Sequence, residues 1–122
     1  MRFDKAISSI ENKEEAMAAY MICTMRIHDP ETYKKYTALT PATLKKYGGK
    51  FLTRGDPVTT CEGETFTDRM VILEFPDEAT AQKWYNDTDY QAASKFRRAS
   101  SDRGRMILQQ GRGESAAPDP LV

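Results

Sequence analysis

The stretch that most constrains this chain runs from Met70 to Asp77. Met70-Val71-Ile72-Leu73 is apolar at consecutive positions, Glu74-Phe75 follows, and Pro76-Asp77 then opens a segment of helical spacing. Alternation marks a strand with one wet face, whereas an unbroken apolar run marks a strand covered on both. The run therefore predicts a central strand, and Glu74 sets a carboxylate inside it. Alternation puts Glu74 on the face of Met70 and Ile72, opposite Val71, Leu73 and Phe75. Phe75 adjoins the helix start and faces the helices, so Glu74 points away from them.

The other elements fall around this strand. Ala19 to His28 alternates, with Ala19, Met21, Cys23, Met25 and Ile27 on one face and a mixed set, including Arg26 and His28, on the other. Asp29-Pro30 is a helix start, the aspartate capping free N–H groups and the proline standing where its missing N–H costs nothing. Tyr33, Tyr36, Leu39 and Thr40 carry the helical stripe. Pro41 predicts a kink or restart, after which Leu44 and Tyr47 extend the stripe to Gly48-Gly49. Lys50 to Arg54 reads as the second strand, Gly55-Asp56-Pro57 as a turn or bulge, and Val58 to Cys61 as resumed extended chain. A reversal at Glu62-Gly63-Glu64 leads into the third strand, from about Asp68 to Phe75. Asp77 caps the next helix, which breaks at Asn86 to Asp89, where Asp87 recaps a second segment carrying Tyr90, Ala93 and Arg97. Ser100 to Gly104 is expected as a loop, and Arg105 to Gln110 as a last strand at a sheet edge. Residues 1–18 form a polar leader with weak helical spacing, and residues 112–122 are expected as a disordered tail.

The order β-α-β-β-α-β is an α+β, ferredoxin-like plan: a four-stranded antiparallel sheet with both helices on one face. Yet Met70 to Leu73 and Met106 to Leu108 are apolar on both faces, and the helices cover one. The simplest cover for the other is a second copy of the chain. The expectation is a homodimer, a dimeric α/β barrel built from residues 19–111.

Composition removes several classes of function. A length of 122 residues suits one domain, and 18 basic against 18 acidic residues give no electrostatic footprint for nucleic acid. No signal-peptide segment and no bilayer-length apolar run is visible, so no membrane association and a cytoplasmic location are expected. Cys23 and Cys61 lack the spacing of a disulfide framework or a metal pair. His28, the one histidine, has no companion ligands at metal-site spacing. Neither a P-loop, a GxGxxG nor a nucleophile elbow is present, and no cofactor or metal is expected.

Candidate site residues centre on Glu74. A carboxylate there must pair with a cation or take a raised pKa. The mixed faces of the neighbouring strands supply Arg26, His28 and Arg54 as partners. Glu74 beside His28 is a candidate general acid–base pair, with an arginine holding the oxygen of a small organic molecule. Equally, Glu74 and an arginine are a candidate interface ion pair without chemistry. Trp84, Tyr85 and Tyr90 read first as packing and second as a substrate cage. Tyr33, Tyr36 and Tyr47 are expected to pack the first helix on the sheet with their hydroxyls at the rim.

The run Tyr47 to Gly55, the Glu74-Phe75-Pro76 unit, and Trp84-Tyr85 followed by Tyr90-Gln91 and Arg97 together resemble the domain-of-unknown-function family 1330, over residues 19–111. The resemblance implies a dimeric α/β barrel of the ferredoxin-like type. Its superfamily includes cofactor-independent monooxygenases, lactone isomerases and haem-linked enzymes. Arg97 belongs to that pattern and joins Arg26, Arg54 and Tyr85 as a ligand-binding candidate. Thr88 stands where the family pattern has a proline, and Asp56-Pro57 where it has a second glycine. The functional expectation is a small organic molecule bound in the barrel interior. The alternatives are a cofactor-independent enzyme using Glu74, His28 and arginine, and a purely structural or protein-interaction dimer.

Overall fold

Three aspartates set the helices of this protein, whose computed structural model describes residues 17–112. The elements are β1 (Ala19–Ile27), α1 (Pro30–Lys46), β2 (Lys50–Arg54), β3 (Arg69–Phe75), α2 (Glu78–Tyr85), α3 (Thr88–Ser100) and β4 (Ser101–Gln110). Asp29 Oδ1 accepts from Thr32 N at 3.2 Å, Asp77 from Thr80 N at 2.7 Å, and Asp87 Oδ2 from Asp89 N at 3.0 Å, starting α1, α2 and α3 in turn. Each such cap stabilises its helix by about 1 kcal/mol. The expected polar leader and disordered tail lie outside the described residues, apart from 17–18 and 112.

The strands form one antiparallel sheet in the order β2-β3-β1-β4, the ferredoxin-like arrangement, with β3 central and β4 at an edge as expected. Met21, Cys23 and Met25 of β1 and Val71, Leu73 and Phe75 of β3 are buried beneath the helices against Tyr33, Tyr36, Leu44, Ala81, Trp84 and Tyr90. Among the described residues no layer covers the opposite face. There Ile22 lies between Ile72 and Ile107 in direct register, and Ile107 is 46% exposed.

Several local expectations are corrected. Residues 58–61 form no strand, and the whole of 55–68 is an irregular connection. The last strand begins at Ser101, because Ser101 and Asp102 already pair with Ile27 and Arg26, although a register shift interrupts the ladder between Thr24 and Arg26. Arg103 takes a positive φ of 55° at that shift, the mark of a bulge. Helix α1 runs unbroken through Pro41. Proline removes the N–H that would bond the Thr37 carbonyl, and Arg54 Nη2 donates to that oxygen instead, at 2.8 Å.

Candidate functional site

Glu74 lies on the uncovered sheet face, in register with Tyr20 and Lys50. Its nearest cation is Lys50 Nζ, at 3.9 Å, and both side chains reach solvent. The structure does not bring Glu74 to His28 or Arg26. Glu74 pairs with Tyr20, so Arg26 stands six residues along β1, about 20 Å away at strand rise. Arg26 instead makes a two-point contact with Asp102, with Nε donating at 2.8 Å, and the Arg103–Asp68 pair at 2.6 Å belongs to the same end of the sheet. These charges neutralise one another. His28 is exposed, and its backbone N–H donates to the Ser100 carbonyl at 2.9 Å.

Arg54 is not beside Glu74 either. A register shift between Phe51 and Thr53 turns the end of β2, and Arg54 pairs with Val71, on the helix side of the sheet. Its guanidinium lies over the Phe51 ring and serves the carbonyl that Pro41 leaves open. Alternation alone gives no warning of a bulge, so the sequence placed this residue on the wrong face.

The unusual chemistry lies on the helix side. The α3 stripe Tyr90, Ala93, Ser94, Arg97 and Ser100 is buried at spacings of three and four. Tyr90 meets Tyr36 of α1, their hydroxyls 2.9 Å apart, so the Tyr36 hydroxyl sits in the interior and not at the rim. The Tyr90 hydroxyl also lies 3.5 Å from Met106 Sδ, and its ring stacks on Trp84 with centroids 4.0 Å apart. Trp84 Nε1 in turn donates to Thr43 Oγ1 at 3.1 Å. Desolvation pushes the phenols up from their ordinary range, so both remain neutral donors at physiological pH. Burial pushes the neighbouring Cys23 thiol up to about 12, leaving it unreactive.

Arg97 enters this cluster from α3. It is 7% exposed, its guanidinium lies 5.7 Å from the centre of the Tyr36 ring, and its Nε is buried without a hydrogen-bond partner. Among the described residues no carboxylate forms an ion pair with it. Burial pulls its pKa down, but the Tyr90 and Tyr36 oxygens outweigh this and the group stays cationic. A second arginine, Arg69 of β3, lies 5.3 Å from the centre of the Tyr33 ring with its own Nε buried and unpartnered. An unpaired cation in a protein interior costs several kcal/mol, so Arg97 needs an explanation that packing does not supply.

Met21, Tyr85, Met106 and Leu108, rimmed by Glu78, Gln82 and Asn86, line a concavity of about 460 Å³ between α2 and β4. Tyr85, which lines the concavity, packs against Tyr90 with ring centroids 5.8 Å apart. Along the helix side of edge strand β4 the sequence is Leu108, Met106, Gly104. A Cβ on Gly104 would stand 3.8 Å from Arg97 Nη1. Of the residues singled out from the sequence, Tyr85 lines the concavity and Arg97 lies buried beside Gly104. Tyr36 and Gly104 were missed; Tyr90 was weighed as packing first and a substrate cage second, and its i, i+7 match to Arg97 pointed to a shared face. Among the described residues no group of three or more His, Cys, Asp or Glu side chains could hold a metal ion, and no helix is long and apolar enough to cross a membrane.

A family model described as a domain of unknown function, DUF1330, matches residues 18–111. No curated protein matches the sequence. Among solved structures, a protein of unknown function from Rhodopseudomonas palustris superposes with a TM-score of 0.66 at 19% identity, covering 87% of this chain and 91% of that one. A dimeric protein of unknown function and ferredoxin-like fold from Bacteroides fragilis gives a TM-score of 0.53 at 12% identity, over 76% and 95% of the two chains. SnoaB, a cofactor-independent oxygenase from Streptomyces nogalater, gives 0.53 at 15% identity, over 83% and 99%. At such identities the likeness shows a shared fold.

Proposed function

The chain belongs to the DUF1330 family, and on that premise we propose that it is a homodimer that binds a small organic molecule in the concavity between α2 and β4. The observation that carries the binding reading is an open concavity of about 460 Å³ between α2 and β4, lined by Met21, Tyr85, Met106 and Leu108. Its size falls in the range of small-ligand pockets. This moves the expected site from the space between two sheets, where Glu74 stands, to the layer between helices and sheet.

The dimer reading rests on the uncovered isoleucine row Ile72, Ile22 and Ile107 and is supported by the dimeric state of the Bacteroides fragilis protein. A second copy of the sheet covers this row and brings Glu74 and Lys50 to the edge of the interface. Native mass spectrometry of the protein purified from cells tests both parts at once. The expected spectrum is a dimer carrying a small non-covalent mass that is lost on mild activation. A monomer at micromolar concentration removes the dimer, and a bare polypeptide mass under every gentle condition removes the ligand. A second reading, catalysis on the bound molecule without a cofactor, is favoured by the likeness to SnoaB. It is tested by comparing the co-purified molecule before and after incubation with the protein in air.

A further inference from the structure

The irregular connection 55–68 walls a second cavity, of about 520 Å³, at the other end of the sheet. Arg69 in its lining pairs with Met25, toward the Ile27 end of β1, whereas Met21 of the first concavity stands toward the Ala19 end. A connection of this length without helix or strand is uncommon in a compact domain and usually serves a function. Pro57, Val58, Phe66 and Met70 give the lining its apolar surface. Two of its charges are already paired, Arg26 with Asp102 and Asp68 with Arg103 at 2.6 Å. Arg69 has no such partner: among the described residues no carboxylate forms an ion pair with it, its Nε is buried without a hydrogen bond, and its Nη2 makes one long bond, 3.4 Å to the Arg54 carbonyl, in an exposed setting. The guanidinium lies directly against a wall residue, since Gly55, at a φ of 78°, leaves no room for a Cβ beside Nη1.

We infer that this cavity takes a small monocarboxylate with an apolar body, at a site separate from the concavity between α2 and β4. The carboxylate meets the outer Nη edge of Arg69, which needs no access to the buried Nε, and the body packs against Val58, Phe66 and Met70. The volume lies in the range of small-ligand pockets. An arginine–carboxylate bond is charge-assisted and stronger than one between neutral groups, so an uncharged molecule of equal shape forfeits it. Asp56 limits the charge of the ligand. Its Oδ2 accepts from Arg54 N at 2.8 Å, and with Asp68 it puts two carboxylates in the same lining. A dianion such as a phosphate monoester meets those like charges more strongly than a monocarboxylate does.

The test uses 3-phenylpropionate, its uncharged amide 3-phenylpropanamide, and phenyl phosphate on the full chain, read by titration calorimetry and by backbone amide NMR shifts. The carboxylate is expected to bind at least about tenfold more tightly than the amide, the discrimination that one charge-assisted bond supplies, and more tightly than phenyl phosphate. Saturation with it is expected to shift the amides of Gly55, Val58 and Met70 and to leave those of Tyr85 and Leu108 in place. Arg69→Met is expected to remove the preference for acid over amide. Val58→Trp, at an exposed position of the connection, is expected to fill the cavity and weaken acid and amide together by about tenfold or more. Equal binding of acid and amide to the wild type, tighter binding of phenyl phosphate, or shifts confined to the Tyr85 concavity each overturn the proposal. An unchanged preference in folded Arg69→Met protein overturns it as well, and if that variant does not fold, unchanged affinities in Val58→Trp do the same. Absence of binding by all three probes at millimolar concentration also overturns it.

Discussion

Replacing Arg97 by methionine separates a binding arginine from a structural one. Methionine keeps an unbranched apolar stem of similar reach and removes the charge and the buried Nε that has no partner. Relief of the unsatisfied donor is worth about 1–3 kcal/mol, and relief of ion burial adds to it. Against this stands the cation–π contact with Tyr36 at 5.7 Å, worth about 0.5–2 kcal/mol. The balance predicts that the ligand-free variant is more stable by roughly 1–2 kcal/mol, with each kcal/mol raising Tm by about 4–8 °C in a domain of this size. Urea titration of delipidated, ligand-stripped protein reads this as a higher midpoint at an unchanged slope. Wild type and variant must be held at one chain concentration, because the proposed dimerisation would make apparent stability concentration-dependent. A midpoint lowered by about 1 kcal/mol or more refutes the reasoning: Arg97 is then a strut that pays for its own burial. An arginine retained at a cost to stability is what a binding site predicts.

Gly49→Ala is expected to destabilise the fold by about 1–3 kcal/mol, because the new Cβ would lie 2.8 Å from both Leu44 Cδ2 and Phe75 Cε1; denaturant midpoints measure it. Hydrogen bonds from Tyr47 at 2.7 Å and Lys46 at 3.0 Å hold the Asp87 carboxyl down from 3.8 to about 2. Its contribution is therefore complete above pH 3.8 and is lost as pH falls toward about 2. Asp87→Asn keeps an α3 cap without the charge, so its Tm is expected to fall less steeply than wild type over that window. A parallel acid limb in the two proteins removes the assignment. Ile107→Lys places a charge in the isoleucine row and is expected to convert the proposed dimer to monomer in sedimentation equilibrium, with the circular dichroism spectrum unchanged.

Much of the architecture is legible in local chemistry. Asp29, Asp77 and Asp87 mark three helix starts because a short acidic side chain satisfies free N–H groups wherever the chain enters a helix. The run Met70 to Leu73 announces the central strand, and Glu74 turns out on the face opposite Phe75 because strand period is independent of what lies above the sheet. Two of the errors share an origin. The placement of Arg54 and the start of β4 both depend on bulges, at Phe51/Thr53 and Thr24/Arg26, and a bulge changes side-chain direction without a fixed residue signature. The unbroken α1 likewise depends on a guanidinium arriving from β2, a partner that no local reading of Pro41 supplies.

The sequence by itself determined the order of elements, the helix caps and the helix-facing sides of β1 and β3. It determined these because caps and hydrophobic period act over a few residues. Tertiary structure alone decided which polar groups meet. Antiparallel register put Glu74 beside Lys50 and about 20 Å from Arg26, while the crossing of α1 and α3 brought Tyr36 to Tyr90 across 54 positions. The same packing closed Arg97 inside the helix–sheet layer with no acid to meet it. Whether a cation is paired depends on what surrounds it in space, and that is set by register and helix packing.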